Sequence, residues 1–374
     1  MRIGIEVQRI FRLNKHGMEI AAGELINEIQ KQDKENEYVL FAKKGADENY
    51  IQQTSNFKIN SFSTVSYAHW EQITLPKVIK QEKIDFLHAT CNTAPINCPV
   101  PLMLTVHDII YLENLDFKGS AYQNFGNIYR RFVVPRAAEK SRIIITVSEY
   151  EKKVITDRLN IPGEKVKVIY NGVNKKFFHR NSKDEINNFK KKYQLPEEFF
   201  LFLGNRAPKK NTRNVILAFL DYCKRTRDPI PMVILDYQKI FLEELLYRLD
   251  KHSAIRFFVF PGYIPGNEMP LMYQAASVFL YPSLRESFGM PIIEAMACGT
   301  PVITSNTSSM PEVAGDAAML VDPYSSFSIA DAMEKLRMDP ALMTELKEKG
   351  FERAKQFSWE KAAAELLTTY KKLL

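Results

Sequence analysis

The chain has 374 residues and little cysteine: four thiols, Cys91, Cys98, Cys223 and Cys298, none in C-x-x-C spacing. Scattered single cysteines fit free thiols in a cytosolic protein better than a disulfide frame or a zinc site. No apolar run approaches the roughly 20 residues that cross a bilayer. Met1-Arg2-Ile3-Gly4-Ile5 enters a strand pattern at once and reads as no secretory leader. No Gly-x-Gly-x-x-Gly follows a strand, which argues against a nicotinamide-dependent dehydrogenase. No Asp-x-Asp occurs, so no paired aspartates offer themselves to a divalent ion. Low-complexity segments are absent too.

What is present is basic. The net charge is +7, and cations crowd one region: Arg130, Arg131, Arg136, Lys140, Arg142, Lys152, Lys153, Arg158, Lys165 and Lys167. A solvated helix face explains most such runs. Here Tyr122, Phe125, Tyr129 and Phe132 interleave with Arg130 and Arg131, so peripheral contact with an anionic membrane is the second expectation. Nucleic acid is not expected, because no common binding module is recognisable.

Strand and helix patterns alternate, which predicts an α/β fold with parallel sheets. Strands are expected over 2–7, 38–42, 86–89, 101–106, 142–147 and 165–169. Helices are expected over 18–32, 124–141 and 149–159. The rhythm breaks in a Lys- and Asn-rich stretch and restarts. Strands then fall at 199–203, 232–235, 255–260, 276–280 and 300–304, helices at 213–223, 237–249 and 359–374. The expected division is a first domain over 1–173, a linker over 174–197, a second domain over 198–355, and a C-terminal helix over 356–374 that packs back on the first domain.

One stretch carries chemistry. Pro282 to Ile303 places Glu286 in a loop and Glu294 eight residues on, about one turn inside a helix. Pro291 suits a first helical position and Gly299 a C-cap. The amides of Phe288, Gly289 and Met290 at a helix N-terminus suit an anion, and two carboxylates suit a hydroxyl-rich ligand. Singly, each Glu is more often structural; together they favour a ligand site. Leu203 to Asn211 adds Arg206 and Lys210 in a loop after a strand. His107, in Thr105-Val106-His107-Asp108, ends another.

This set resembles the retaining glycosyltransferases of family 4. The E-x7-E pair, the Gly204…Lys210-Asn211 loop, Thr105 to Asp108, Val168 to Asn174, and Ser309 to Gly315 with Leu320 to Pro323 are similar to its motifs, in order. The departures are Asn174 where the family has Asp, and Met18 where the Asn14 to Glu19 loop has a second Gly. The resemblance implies two Rossmann-like domains facing across a cleft (GT-B), the first binding the acceptor and the second the donor. It implies a retaining transferase; side-chain cations in place of an Asp-x-Asp metal site add an expectation of metal independence, and the basic, aromatic-interleaved stretch adds one of a cytoplasmic protein peripheral to the inner face of the membrane. The enzyme would move a hexose from a UDP- or GDP-sugar to a saccharide or glycolipid acceptor in cell-surface polysaccharide or lipopolysaccharide assembly. The nucleotide sugar is a co-substrate, and no cofactor or metal is expected. Glu294 would take the ribose, Glu286 the hexose hydroxyls, Arg206 and Lys210 the diphosphate, Tyr263 and Ile264 the base, Gly17 a phosphate-facing loop, and His107 the transferring centre. A nucleotide-sugar epimerase shares this architecture and is the alternative.

Overall fold

The computed structural model describes residues 1–13, 15, 17–63, 66–113 and 121–373. Contacts divide the chain into two units. One comprises Met1–Gly172 with Trp359–Leu374, the other Val173–Ser358.

The first unit holds seven parallel strands: β1 Arg2–Glu6, β2 Glu37–Lys43, β3 Phe57–Phe62, β4 Phe86–Ala89, β5 Leu102–Thr105, β6 Ile143–Thr146 and β7 Val166–Val168. Their spatial order is β3-β2-β1-β4-β5-β6-β7. The order reverses between β1 and β4, the switch point beyond which open α/β sheets bind ligands. β3 is absent from the sequence expectation for a physical reason. It is an edge strand, Lys58 and Asn60 alternate with its apolar residues, and only Phe57 is fully buried. The helix Trp359–Tyr370 lies against the helix Gly17–Gln32 and buries Trp359, Ala363, Leu366 and Tyr370. The Tyr370 hydroxyl stands 2.7 Å from His88 Nδ1, and His88 Nε2 stands 2.7 Å from Thr105 Oγ1.

The second unit holds six parallel strands: β8 Phe200–Leu203, β9 Met232–Leu235, β10 Phe258–Val259, β11 Val278–Tyr281, β12 Val302–Ser305 and β13 Met319–Val321, in the order β10-β9-β8-β11-β12-β13. Its switch point lies between β8 and β11. Side chains alternate across β11. Val278 and Leu280 join a core shared with the helices Thr212–Arg225, Lys239–Arg248 and Ser326–Met338. Phe279 and Tyr281 turn to the other face, where their rings stack and Phe279 meets Tyr273 of the helix Met269–Ala275 edge-to-face.

Two expectations are corrected here. Residues 255–260 are not one strand: a 3-10 turn runs over His252–Phe257, and only Phe258–Val259 pairs, at the sheet edge. Residues 174–197 are not a free linker. They contain the helix Lys183–Lys192, closed by a capping box in which Ser182 and Glu185 satisfy each other's amides. The preceding segment is pinned to the second unit. Gln274 Nε2 donates to His179 O at 2.8 Å, Asn181 N donates to Gln274 Oε1 at 3.0 Å, and Arg180 donates to Cys298 O. Its Lys and Asn content reflects an exposed helix face; Phe189 is its buried anchor.

Candidate functional site

β8 and β11 end side by side, and the loops that follow them meet. Leu284 N donates to Lys209 O at 2.7 Å, and Asn211 Nδ2 donates to Pro282 O at 3.0 Å. Lys210 and Glu286 are thereby brought together: Nζ lies 2.8 Å from Glu286 Oε1 and 2.8 Å from the Tyr281 hydroxyl. Glu286 is buried. Its main chain is clamped by two serines, with its N–H donating to Ser308 Oγ at 3.0 Å and Ser309 Oγ donating to its carbonyl at 2.9 Å. Ser309 Oγ also donates to Phe288 O at 3.1 Å. A buried carboxylate is tolerated only when paired, and Lys210 is that partner.

The helix Met290–Ala297 starts where the sequence places it. Gly289 is its N-cap with φ +96°, a backbone that only glycine adopts without strain. Gly299, with φ +73°, ends the helix beside Arg180. Glu294 lies one turn in, and the Tyr273 hydroxyl donates to its Oε2 at 3.1 Å. The residue is half-buried, but its carboxyl is enclosed, and desolvation pushes its pKa up to about 7. The Tyr273 hydrogen bond and the Lys176 charge oppose that rise.

Other expected residues stand elsewhere. Arg206 is not brought to Lys210. Asn205 Oδ1 accepts from Ala207 N at 2.8 Å and Asn205 N donates to Thr212 Oγ1 at 3.1 Å. That turn sends Arg206 outward, where its guanidinium lies 4.2 Å from the Phe241 ring centre. Tyr263 is 81% exposed beside the buried Ile264, after Gly262 with φ +83°. His107 and Gly17 belong to the first unit. His107 is buried, its Nε2 is 3.0 Å from Thr90 O, and its N–H donates to Asn92 Oδ1 at 2.6 Å. The Thr90 carbonyl can only accept, so Nε2 carries the proton and Nδ1 is the remaining acceptor. Burial pushes the His107 pKa down. Gly17 is the exposed first residue of its helix; Asn14 and His16 of the same expected loop lie outside the described residues.

Sequence reasoning missed Tyr273, Tyr281, Ser308 and Ser309 as parts of this site. Tyr281 had a signal, being the last strand residue before the motif. Tyr273 and Ser308 reach it only through tertiary packing. Chemically, the cluster offers a cation, two carboxylates and a helix N-terminus around one strand–loop–helix turn. Such a set can seat a polyhydroxylated ligand that carries an anionic group. Among the described residues no three His, Cys, Asp or Glu gather as metal ligands. No helix among them is long and apolar enough to cross a membrane.

The family models agree in order along the chain. Residues 16–177 match the family described as Glycosyltransferase Family 4, and residues 183–353 match Glycosyl transferases group 1. The O-antigen chain mannosyltransferase RfbU of Salmonella typhimurium is 30% identical over 278 residues, 73% of this chain and 70% of that protein. The chain belongs to the group 1 glycosyltransferases. The O-antigen chain mannosyltransferase B of Escherichia coli is 32% identical over 239 residues, 63% of this chain but 62% of that protein. Among solved structures, Anabaena Alr3699/HepE in complex with UDP and glucose superposes with TM-score 0.75 at 16% identity, over 100% of both chains. This likeness supports the fold, α/β with two Rossmann-like units of the GT-B type. In this glycosyltransferase Lys210, Glu286 and Glu294 fall in the group 1 segment, and Gly17 and His107 in the other.

Proposed function

We propose that this glycosyltransferase is a retaining hexosyltransferase that takes its sugar from a nucleotide diphosphate sugar, with mannose favoured by the mannosyltransferase relatives. The acceptor is a saccharide or lipid-linked saccharide of cell-surface polysaccharide or lipopolysaccharide assembly, bound by the first unit. The observation that carries the reading is the Lys210–Glu286 pair set one loop before Glu294. Glu294 as a carboxylate accepts both ribose hydroxyls. Glu286 accepts hexose hydroxyls, aided by the amides of Phe288, Gly289 and Met290, while Tyr263 and Ile264 border the base. Lys210 stabilises the charge that grows on the leaving diphosphate. That cation takes the place a divalent ion would fill, so the reaction needs no metal. Arg206 is not part of this set, since its guanidinium rests on Phe241. His107 acts on the acceptor side through Nδ1.

The test is a panel of sugar nucleotides incubated with the protein in EDTA, reading release of free nucleoside diphosphate. Release from one donor, and an acceptor product with the donor's anomeric configuration, is expected. Conversion of the donor to an epimer without release would make the protein an epimerase. Activity lost in EDTA and restored by magnesium would overturn metal independence.

A further inference from the structure

The second unit carries a cationic cavity on the face of its sheet opposite Tyr281 and Glu294. It lies between the start of the helix Thr212–Arg225 and the helix Lys239–Arg248, both packed on the Val278 and Leu280 side of the sheet. A hollow of about 270 Å³ is lined by Arg206, Arg213 and Arg248 with Tyr237, Phe241 and Glu244. A second hollow of about 340 Å³ shares Arg206, Arg213 and Tyr237 and runs along the outer side of the loop that carries Lys210, from Asn205 and Pro208 to Asn211 and Thr212.

The charge balance is unusual. Three guanidinium groups face one carboxylate, Glu244. Among the described residues none of the three arginines forms an ion pair; Arg206 has only its stack on Phe241. Arg213 also stands in the first turn of a 14-residue helix, where the backbone already presents positive charge. A cation there is mildly unfavourable, and an anion sharing the site would offset that. The surplus of two positive charges matches a phosphate dianion, and planar guanidinium groups pair with phosphate oxygens in bidentate fashion.

We propose that this cavity binds a phosphate dianion, as a diphosphate or a phosphate monoester, held by Arg206, Arg213 and Arg248 between Tyr237 and Phe241. The site is separate from the donor site and does not rest on the reading of Lys210 and Glu286. Its ligand is either a water-soluble phosphate or the phosphate headgroup of a lipid.

The test is calorimetric titration of inorganic pyrophosphate at low ionic strength, since exposed charges are screened by salt. The wild type, Lys210→Ala and Arg213→Ser/Arg248→Ser are compared. Arg213 and Arg248 are exposed, so the double variant should keep the wild-type melting midpoint. The expected result is a binding event that survives Lys210→Ala and weakens roughly tenfold or more in the double variant. An event unchanged in Arg213→Ser/Arg248→Ser, or abolished by Lys210→Ala, overturns the proposal. Loss of the pyrophosphate event in Lys210→Ala alone would speak for the donor site instead, so the two readings fail separately. Vesicles of phosphatidic acid in phosphatidylcholine then assign the source. Co-sedimentation lost in the arginine variant assigns a lipid headgroup, and equal co-sedimentation alongside weakened pyrophosphate binding assigns a soluble phosphate. Both arms carry Phe125→Ser/Phe132→Ser, which removes the exposed aromatic residues of the basic helix.

Discussion

Lys210 Nζ stands 2.8 Å from Glu286 Oε1, so a single ammonium ties the loop after β8 to the loop after β11. The same nitrogen lies 2.8 Å from the Tyr281 hydroxyl. The cation is held in place by that carboxylate and that hydroxyl. Preorganised charge of this kind costs no reorganisation when the leaving group departs.

Lys210→Ala should therefore lower kcat by about a hundredfold or more, with a smaller change in nucleotide affinity. It also leaves the buried Glu286 unpaired, which costs on the order of 1–3 kcal/mol. Adding Glu286→Gln should restore stability but not turnover. Steady-state rates and melting curves on both variants check this, and wild-type turnover in Lys210→Ala would remove it from the mechanism.

Glu294 predicts a pH dependence of binding. Its folded pKa is raised to about 7 by burial, and the diol needs the charged form, which only accepts. Nucleotide affinity should fall by about tenfold per pH unit below 7 and level off above it. For stability the sign is opposite. The folded state holds the proton more tightly than the unfolded one, so this group's contribution is full below about 4.5 and is lost as pH rises through 7. Titrations of nucleotide between pH 5.5 and 8.5 read the first effect. A flat profile in the wild type contradicts the assignment, and Glu294→Gln should give that flat profile.

His88 predicts an acid sensitivity of the first unit. Burial, with His107 nearby, pushes its pKa down to about 3. The unfolded imidazole takes a proton near 6.5. Its contribution is thus full above 6.5 and lost as pH falls toward 3. The drop in urea midpoint between pH 7.5 and 4.5 should shrink in His88→Gln. An unchanged drop would show that His88 is not the group responsible.

The helix Ala121–Lys140 exposes Phe125, Ile128 and Phe132 at 58%, 54% and 55%. Spacings of three and four residues put them on one face. The side chain of Tyr122, named with these aromatic residues in the sequence, lies outside the described residues. Arg136 sits 3.8 Å from the Phe132 ring centre, so cation and apolar surface are adjacent. Binding to phosphatidylglycerol vesicles should drop several-fold in Phe125→Ser/Phe132→Ser and in high salt. Equal binding to neutral and anionic vesicles would reject an electrostatic contact.

Much of the fold is legible in the sequence because buried parallel strands such as Ile143–Thr146 read as apolar runs. The half-polar edge β3 does not, since one of its faces is solvated, and β10 is over-read, because most of the apolar run over 255–260 is the 3-10 turn His252–Phe257. The helices Ser326–Met338 and Pro340–Ala354 carry ordinary amphipathic patterns without a motif to draw the eye. At the site, Glu286 and Glu294 stand out because one local turn needs Gly289 and Pro291 beside them, and Lys210 because it closes a basic loop after a strand. The resting place of Arg206 is not legible, because the Asn205 turn and the Phe241 ring that position it belong to different segments. Tyr273 is invisible because a helix before β11 supplies it.

The measurement that bears most directly on the account is calorimetric titration of UDP and GDP into the wild type and Glu294→Ala. One nucleotide should bind the wild type, and Glu294→Ala should weaken it by about one to two orders of magnitude, the worth of a charge-assisted hydrogen bond of roughly 1.5–3 kcal/mol. Equal affinity in the two proteins, or no binding of either nucleotide to the wild type, would contradict the claim that Lys210, Glu286 and Glu294 form a nucleotide-sugar site.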